Sequence, residues 1–226
     1  MGISYNPRIV TDGLVLALDA ANTKSYPGSG TAWTDLSGNG YNFTLVNGPT
    51  YSNGGISLDG TNDYAYLPSH NSNLAFPNGS MTLIVWEKLN SYGTYGGIIS
   101  PDTTGDAYWK IFRDTSETNY KFRWGSSMMS FPSFTTGRWN MYCAVKDAST
   151  NVYLYFNGTL SSTNTVSQTI STQNNSIAIG SYRYNDAVAG MYLSNQVIGP
   201  VQIYNRALSA AEVSQNFNAL RGRYGI

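Results

Sequence analysis

The 226-residue chain carries little charge. Only 12% of its residues are charged, which is about half of the usual share of about 25%. The 13 Lys and Arg residues balance the 13 Asp and Glu residues, so no net charge attracts the chain to nucleic acids or anionic lipids. No apolar run approaches the roughly 18 residues that a membrane-spanning helix needs. We therefore expect no nucleic-acid partner and no membrane insertion.

Reactive side chains are equally scarce. The chain has one cysteine, Cys143, and one histidine, His70, which excludes an internal disulfide and leaves almost no ligands for zinc. His70 lies in a loop sequence, and Cys143 lies on the apolar face of an alternating strand pattern, as is typical of a core thiol. We therefore expect no Cys–His catalytic pair.

The abundant residues are those of strands and turns: 23 Asn, 26 Ser, 21 Thr and 23 Gly. Short apolar runs recur about every ten positions between turn residues, a pattern typical of an antiparallel sandwich. Residues 14–18 predict a strand buried on both faces. Asn157-Gly158 predicts a two-residue hairpin turn, because both central residues of such a turn need positive φ. A second hairpin is predicted from residues 56–58 to 64–67, across the turn-rich segment 59–63.

One helix is predicted, over residues 209–222, lying on the outside of the sandwich or at one end of it. Ser209 is its N-cap, Glu212 completes a capping box, and Gly222 is expected to end it. Composition does not shift along the chain and no repeat is present. We therefore predict a single domain over residues 1–226, with residues 1–12 as an N-terminal arm suited to docking.

Seven segments, spread over nearly the whole chain, share their order and spacing with a known family. They are residues 13–20, 33–40, 58–64, 81–86, 137–140, 152–158 and, most specifically, 199–209 (Gly-Pro-Val-Gln-Ile-Tyr-Asn-Arg-Ala-Leu-Ser). Together they resemble the concanavalin A-like lectin/glucanase superfamily, in particular its laminin G-like branch. The resemblance implies an all-β fold, a two-sheet antiparallel jelly-roll sandwich, to which the pattern adds one short C-terminal helix.

A narrower resemblance concerns the biological setting. The opening segment, the run Asp-Leu-Ser-Gly-Asn-Gly at 35–40 and the ending Asn-Phe-Asn-Ala-Leu-Arg-Gly-Arg-Tyr-Gly at 216–225 resemble virion proteins of tailed phages, especially marine and cyanobacterial ones. This implies capsid decoration or tail and fibre adhesion, with other virion proteins as partners and a homo-oligomeric state. The first eight residues lack the apolar core of a signal peptide, which fits synthesis in a host cytoplasm and release by lysis.

The sequence does not predict an enzyme. Glycoside hydrolysis needs two carboxyl groups about 5–10 Å apart, and in hydrolases of this superfamily the resemblance implies a Glu-x-Asp-x-x-Glu strand. The chain has only three glutamates, Glu87, Glu117 and Glu212, and none of them lies in that motif.

A calcium site is predicted as one of two alternatives at Asp35, Ser37 and Asn39. These residues place oxygen-bearing side chains at alternate positions before Gly40, as the start of a calcium loop does, but Val46 stands where an acidic ligand is expected. The other alternative is an Asx-type turn that joins two strands. No other cofactor is predicted.

Two loops have the composition of glycan-binding surfaces, with flat aromatic rings beside hydrogen-bonding groups. The first contains Tyr92 and Tyr95 in a mixture of Tyr, Ser and Gly that is typical of adaptable binding loops. The second contains Tyr182, Arg183, Tyr184, Asn185 and Asp186. The alternative for both is packing over a sandwich rim or at a subunit contact.

The resemblance to phage proteins therefore implies a non-enzymatic virion structural protein of a tailed phage, acting as a capsid decoration or as a tail or fibre adhesion module, with weak binding to a host-surface glycan. The alternative is a free carbohydrate-binding lectin outside any virus, with calcium dependence as an option. Many copies on one particle would give avidity to weak contacts.

Overall fold

The computed structural model describes residues 7–68, 74, 76, 79–93, 95–101, 108–114, 118–167, 170, 176–181 and 193–226. Within these residues the chain forms sixteen strands and one helix. The strands are β1 (Leu14–Leu18), β2 (Ala32–Trp33), β3 (Phe43–Val46), β4 (Thr50–Ser52), β5 (Gly55–Asp59), β6 (Tyr64–Leu67), β7 (Met81–Ser91), β8 (Gly96–Pro101), β9 (Trp109–Arg113), β10 (Lys121–Trp124), β11 (Ser127–Ser130), β12 (Trp139–Lys146), β13 (Asn151–Phe156), β14 (Thr159–Thr165), β15 (Ile177–Ile179) and β16 (Asn195–Tyr204). The helix is α1 (Ala210–Tyr224).

The strands form two antiparallel sheets. Sheet A has the order β14-β13-β12-β7-β16-β5-β4, with β1 also paired to β16, and sheet B has the order β11-β10-β9-β8-β15-β6-β3-β2. An apolar core that draws on both sheets lies between them. This confirms the predicted fold class, an all-β sandwich with one short C-terminal helix.

Alternation along the central strands of sheet A decides what each face buries. Leu83 and Val85 of β7 belong to the core between the sheets, whereas Ile84 and Trp86 belong to a second apolar cluster beneath α1. Cys143 of β12 is fully buried in that second cluster. The prediction that Cys143 is a buried core residue is confirmed, and its place is under the helix.

One of the two predicted hairpins forms. Strands β13 and β14 pair across Asn157 and Gly158, whose φ angles are 49° and 79°. The predicted hairpin between residues 56–58 and 64–67 is wrong, because β5 pairs with β4 and β16 in sheet A while β6 pairs with β3 and β15 in sheet B. The turn-rich segment between them crosses from one sheet to the other, and each strand pairs with two neighbours in its own sheet.

The helix begins as predicted and ends later. Ser209 and Glu212 form the capping box. The predicted end at Gly222 is wrong, because the helix continues to Tyr224 and is capped by Gly225, whose φ is 69° and whose N–H bonds the Arg221 carbonyl. Glycine inside a helix costs about 1 kcal/mol relative to alanine. Tyr224 offsets that cost by packing on two tryptophan rings of sheet A, with ring centroids 4.3 and 4.9 Å away.

Residues 8–12 of the predicted arm lie against the helix and its neighbouring strand. The Val10 N–H donates to Asn216 Oδ1 at 2.7 Å, the Tyr204 hydroxyl donates to the Val10 carbonyl at 2.9 Å, and Gln215 donates to the Arg8 carbonyl at 2.7 Å. Whether the arm docks on another protein stays a prediction. Among the described residues, no helix has the length and apolar character needed to cross a membrane.

Candidate functional site

Several segments that cross between the two sheets meet at one end of the sandwich. The Gly137 N–H donates to the Leu89 carbonyl at 2.7 Å, and Asn90 donates to Asn195 at 2.9 Å. A hydroxyl hydrogen bond of 3.5 Å joins Ser194 to the carbonyl of Tyr95. These contacts unite the end of β7, the start of β16, the start of β8 and the segment before β12 into one surface. We call it the rim surface.

Tyr92, which the sequence predicts as a glycan-binding residue, is an exposed aromatic residue of the rim surface. It directly follows β7 and is 47% exposed. The guanidinium carbon of Arg113 lies 5.0 Å from its ring centroid, and the half-buried ring of Phe134 lies 6.1 Å away at an angle of 32°. Because Arg113 and Phe134 pack against its ring, Tyr92 presents a supported flat surface to solvent.

Polar groups lie beside this ring. Asn90 and Ser91 are exposed and precede Tyr92 directly. Beside Phe134, the hydroxyls of Thr118, which precedes β10, and Ser133, which follows β11, share a hydrogen bond of 3.4 Å. Aromatic faces beside amide and hydroxyl groups match the apolar C–H face and the hydroxyls of a sugar ring.

Of the other predicted glycan-binding residues, the structure describes only Tyr95. Tyr95 is half-buried and contributes its backbone carbonyl to the rim surface. Tyr182, Arg183, Tyr184, Asn185 and Asp186 lie outside the described residues. The first described residue after them, Leu193, approaches the first loop closely: a Cβ on Gly93 would lie 2.5 Å from its carbonyl oxygen. Only glycine fits at position 93 without a shift of the backbone.

A buried polar cluster lies under the rim surface, and the sequence analysis missed it. Glu87 of β7 is 0% exposed and faces sheet B, continuing the inward-facing series Leu83 and Val85. Its Oε1 accepts a hydrogen bond of 3.2 Å from the Tyr120 hydroxyl. Burial raises the pKa of Glu87 to about 8, against the opposing effects of the Tyr120 hydrogen bond and the charge of Arg113. Glu87 is thus a carboxylic acid that stays largely protonated near neutral pH.

Other members of this cluster carry polar atoms without partners. Within the described residues, no hydrogen-bond partner reaches Glu87 Oε2, Arg113 Nε, the Tyr142 hydroxyl or Gln196 Oε1. Burial also raises the pKa values of Tyr120 and Tyr142. The sequence does contain a feature that predicts this cluster. Glu87 falls on the apolar side of the β7 alternation, where its carboxyl must be buried.

The segment predicted as a calcium loop or a turn is held by hydrogen bonds within the protein. Asp35 Oδ1 accepts from the N–H groups of Ala17 and Ser37 at 2.9 Å each, and Oδ2 accepts from the Ser37 hydroxyl at 2.7 Å and the Tyr41 N–H at 3.2 Å. Asn39 donates to the Val15 carbonyl at 3.0 Å. Calcium would have to compete with these donors, and calcium binding stays a prediction.

The remaining reactive groups either lie away from the rim surface or belong to residues that the structure does not describe. Burial raises the pKa of the Cys143 thiol. His70 and Glu117 are not among the described residues. Glu212 pairs with Arg206 and the N-terminus of α1, and these bonds hold its pKa at about 2. Among the described residues, no group of three or more His, Cys, Asp and Glu side chains is placed to hold a metal ion.

Comparisons with known proteins identify the type of fold. Residues 59–214 match the sequence profile of a family described as the concanavalin A-like lectin/glucanases superfamily. No curated protein sequence shows significant similarity to the chain.

Among solved structures, the fold is similar to Trypanosoma rangeli sialidase in complex with sialic acid, with a TM-score of 0.72 and 18% identity over 97% of this chain and 36% of the sialidase. It is also similar to the binding domain of botulinum neurotoxin serotype D, with a TM-score of 0.70 and 14% identity over 92% of this chain and 52% of that chain. A third similar structure is a type C neurotoxin whose cell entry depends on two ganglioside molecules, with a TM-score of 0.71 and 16% identity over 93% and 52% of the two chains. The chain thus spans about a third to a half of the length of these proteins.

Proposed function

Since the chain belongs to the concanavalin A-like lectin/glucanase superfamily, we propose that it is a non-enzymatic carbohydrate-binding module whose rim surface contacts glycan through Tyr92. The observation that supports this most directly is the half-exposed ring of Tyr92, supported by Arg113 and Phe134. A sugar ring that stacks on Tyr92 would place its hydroxyls near the polar side chains of Asn90 and Ser91.

The structurally similar proteins suggest which glycans to test first. One is a sialidase with bound sialic acid, and another is a toxin that depends on gangliosides. We therefore include sialylated glycans and gangliosides among the candidates for this chain, together with neutral hexoses.

The surroundings of Glu87 support a binding role over a hydrolytic one. The described groups that act on its carboxyl are the phenol of Tyr120 and the guanidinium of Arg113, whereas the usual glycosidase mechanism needs a second carboxyl group. Some sialidases use a tyrosine nucleophile instead, but Glu87 and Tyr120 are both 0% exposed. A substrate would have to open the sandwich to reach them.

We propose that this module belongs to the virion of a tailed phage, where it is a capsid decoration or a tail or fibre adhesion protein. It forms homo-oligomers, and its partners are other virion proteins. The resemblance of the opening and closing segments to phage proteins supports this setting. Many rim surfaces on one particle, each of which binds glycan weakly, would together bind the particle to a host surface through avidity. A free lectin outside any virus is the alternative.

A glycan array tests the binding role. The purified protein should bind a subset of the glycans, and Tyr92→Ala should abolish that binding. Tyr51→Ala is the matched control, because Tyr51 is exposed to a similar extent, 43%, but lies on β4, away from the rim surface. Tyr182→Ala in the same panel tests the second predicted loop. Binding that survives Tyr92→Ala, or no binding to any glycan, would contradict the role of Tyr92.

Two further measurements test whether glycan binding needs calcium and whether the protein is part of a virion. Repeating the array with a chelator should leave binding unchanged if the Asp35 segment is only a turn, and should reduce it if calcium is needed. Proteomics and labelling of intact particles should find the chain on the virion. Its absence from particles, together with glycan binding by the free protein, would favour the lectin alternative.

A further inference from the structure

Arg113 is a buried cation with no acidic partner among its described hydrogen bonds. It is the last residue of β9, it faces sheet A, and it is only 1% exposed. Its Nη2 donates to the Gly93 carbonyl at 2.6 Å, and its Nη1 donates to the Asp114 carbonyl at 3.3 Å. Removing a guanidinium from water is costly unless hydrogen bonds replace those to water, so these contacts are what keep the side chain in place.

The same guanidinium contacts two consecutive residues of the rim surface. It bonds the backbone of Gly93 and lies 5.0 Å from the ring centroid of Tyr92. Gly93 also abuts the Leu193 carbonyl, and Gly96 pairs with Arg113 across β8 and β9. The crossing from sheet A to sheet B is therefore tied to a rigid strand of sheet B directly beside the exposed ring.

We propose that Arg113 is the positioning residue of the rim surface, which holds the ring of Tyr92 in the orientation that glycan binding requires. This inference rests on the proposed function. An aromatic side chain that is already ordered loses less entropy when a ligand binds. The planar guanidinium of arginine presents several donors in a fixed fork and can lie flat against a ring, whereas lysine places a compact charge at the end of a flexible stem.

The test compares Arg113→Lys and Arg113→Met with Arg123→Lys. Arg123 is a matched control because its Nε donates to the Gly125 carbonyl at 2.6 Å and its guanidinium lies 5.5 Å from the ring of Tyr108. We measure hydrogen exchange over residues 90–96, the global free energy of unfolding, and affinity for the best glycan of the array.

The Arg113 variants should exchange about tenfold faster over residues 90–96 and bind glycan about tenfold more weakly, because Arg113→Met loses the charged hydrogen bond and the cation–π contact and Arg113→Lys loses the planar fork that makes both. Exchange on β12 and β13 should change only in proportion to global stability, and Arg123→Lys should leave residues 90–96 and glycan affinity unchanged. A merely structural role would instead accelerate exchange throughout the sandwich.

Unchanged exchange over residues 90–96 in a folded Arg113 variant would overturn the inference, even if wild-type protein binds glycan. If the wild-type protein bound no glycan, the proposed function would be wrong, and Arg113 could not position Tyr92 for glycan binding. The exchange data would still report whether Arg113 orders the rim surface. If both Arg113 variants fail to fold, Tyr92→Leu replaces them, because it removes the ring and leaves the guanidinium. Faster exchange at Gly93 would support the coupling, and unchanged exchange would overturn it.

Discussion

Replacing Glu87 by glutamine should change how the stability of the domain depends on pH. Burial raises the pKa of Glu87 from its ordinary value of 4.5 to about 8 in the folded protein. Because the folded state holds the proton more tightly, the stabilisation is complete below pH 4.5 and is lost as the pH rises through 8. With about 1.4 kcal/mol per pKa unit, the full loss is about 5 kcal/mol, of which about 4 kcal/mol falls between pH 5 and pH 9.

Glutamine can still accept the Tyr120 hydrogen bond but cannot ionise. Urea unfolding of both proteins at pH 5, 7 and 9 should therefore show that Glu87→Gln gains about 4 kcal/mol relative to wild type across this range. Other titrating groups contribute equally to both proteins and cancel in the difference. If the two stability curves ran parallel within about 1 kcal/mol, Glu87 would not be a buried, protonated acid.

Glu212→Gln is the control with the opposite sign. The hydrogen bonds of Arg206 and Ser209 hold the pKa of Glu212 at about 2, so its stabilisation is present above pH 4.5 and is lost as the pH falls toward 2. This variant should differ from wild type by a constant amount from pH 5 to pH 9, and the difference should shrink in acid, because protonated Glu212 resembles the neutral glutamine.

Three further changes test separate parts of the fold. Asp35→Ala should lower the free energy of unfolding by roughly 2–4 kcal/mol, because four hydrogen bonds to its carboxylate are lost; a cost near zero in urea unfolding would contradict the turn. Ser209→Ala should cost about 1 kcal/mol in the same assay, since its hydroxyl caps α1, and a neutral result would show that the cap contributes nothing. Cys143 should react with a thiol reagent only as fast as the protein unfolds, because it is fully buried; rapid labelling of the native protein would show that the helix opens.

The candidate site shows where sequence reasoning succeeds and where it stops. Tyr92 could be found from its loop composition, because a tyrosine among Ser and Gly has no apolar periodicity that would bury it. Arg113 could not be found, since its contacts with Tyr92 and Gly93 join the end of β9 to a loop about twenty positions earlier in the chain. Glu87 was visible as an acid among inward-facing residues, but its partner Tyr120 comes from the other sheet.

The sequence by itself determined the alternation of buried side chains, the turn at Asn157 and Gly158, and the capped start of α1, because each depends on residues only a few positions apart. The tertiary structure alone decided that β5 and β6 join different sheets, that α1 continues past Gly222, and that Arg113 lies beneath Tyr92. These outcomes depend on competition among distant partners for backbone hydrogen bonds and apolar contacts, and local spacing does not encode which partner is stronger.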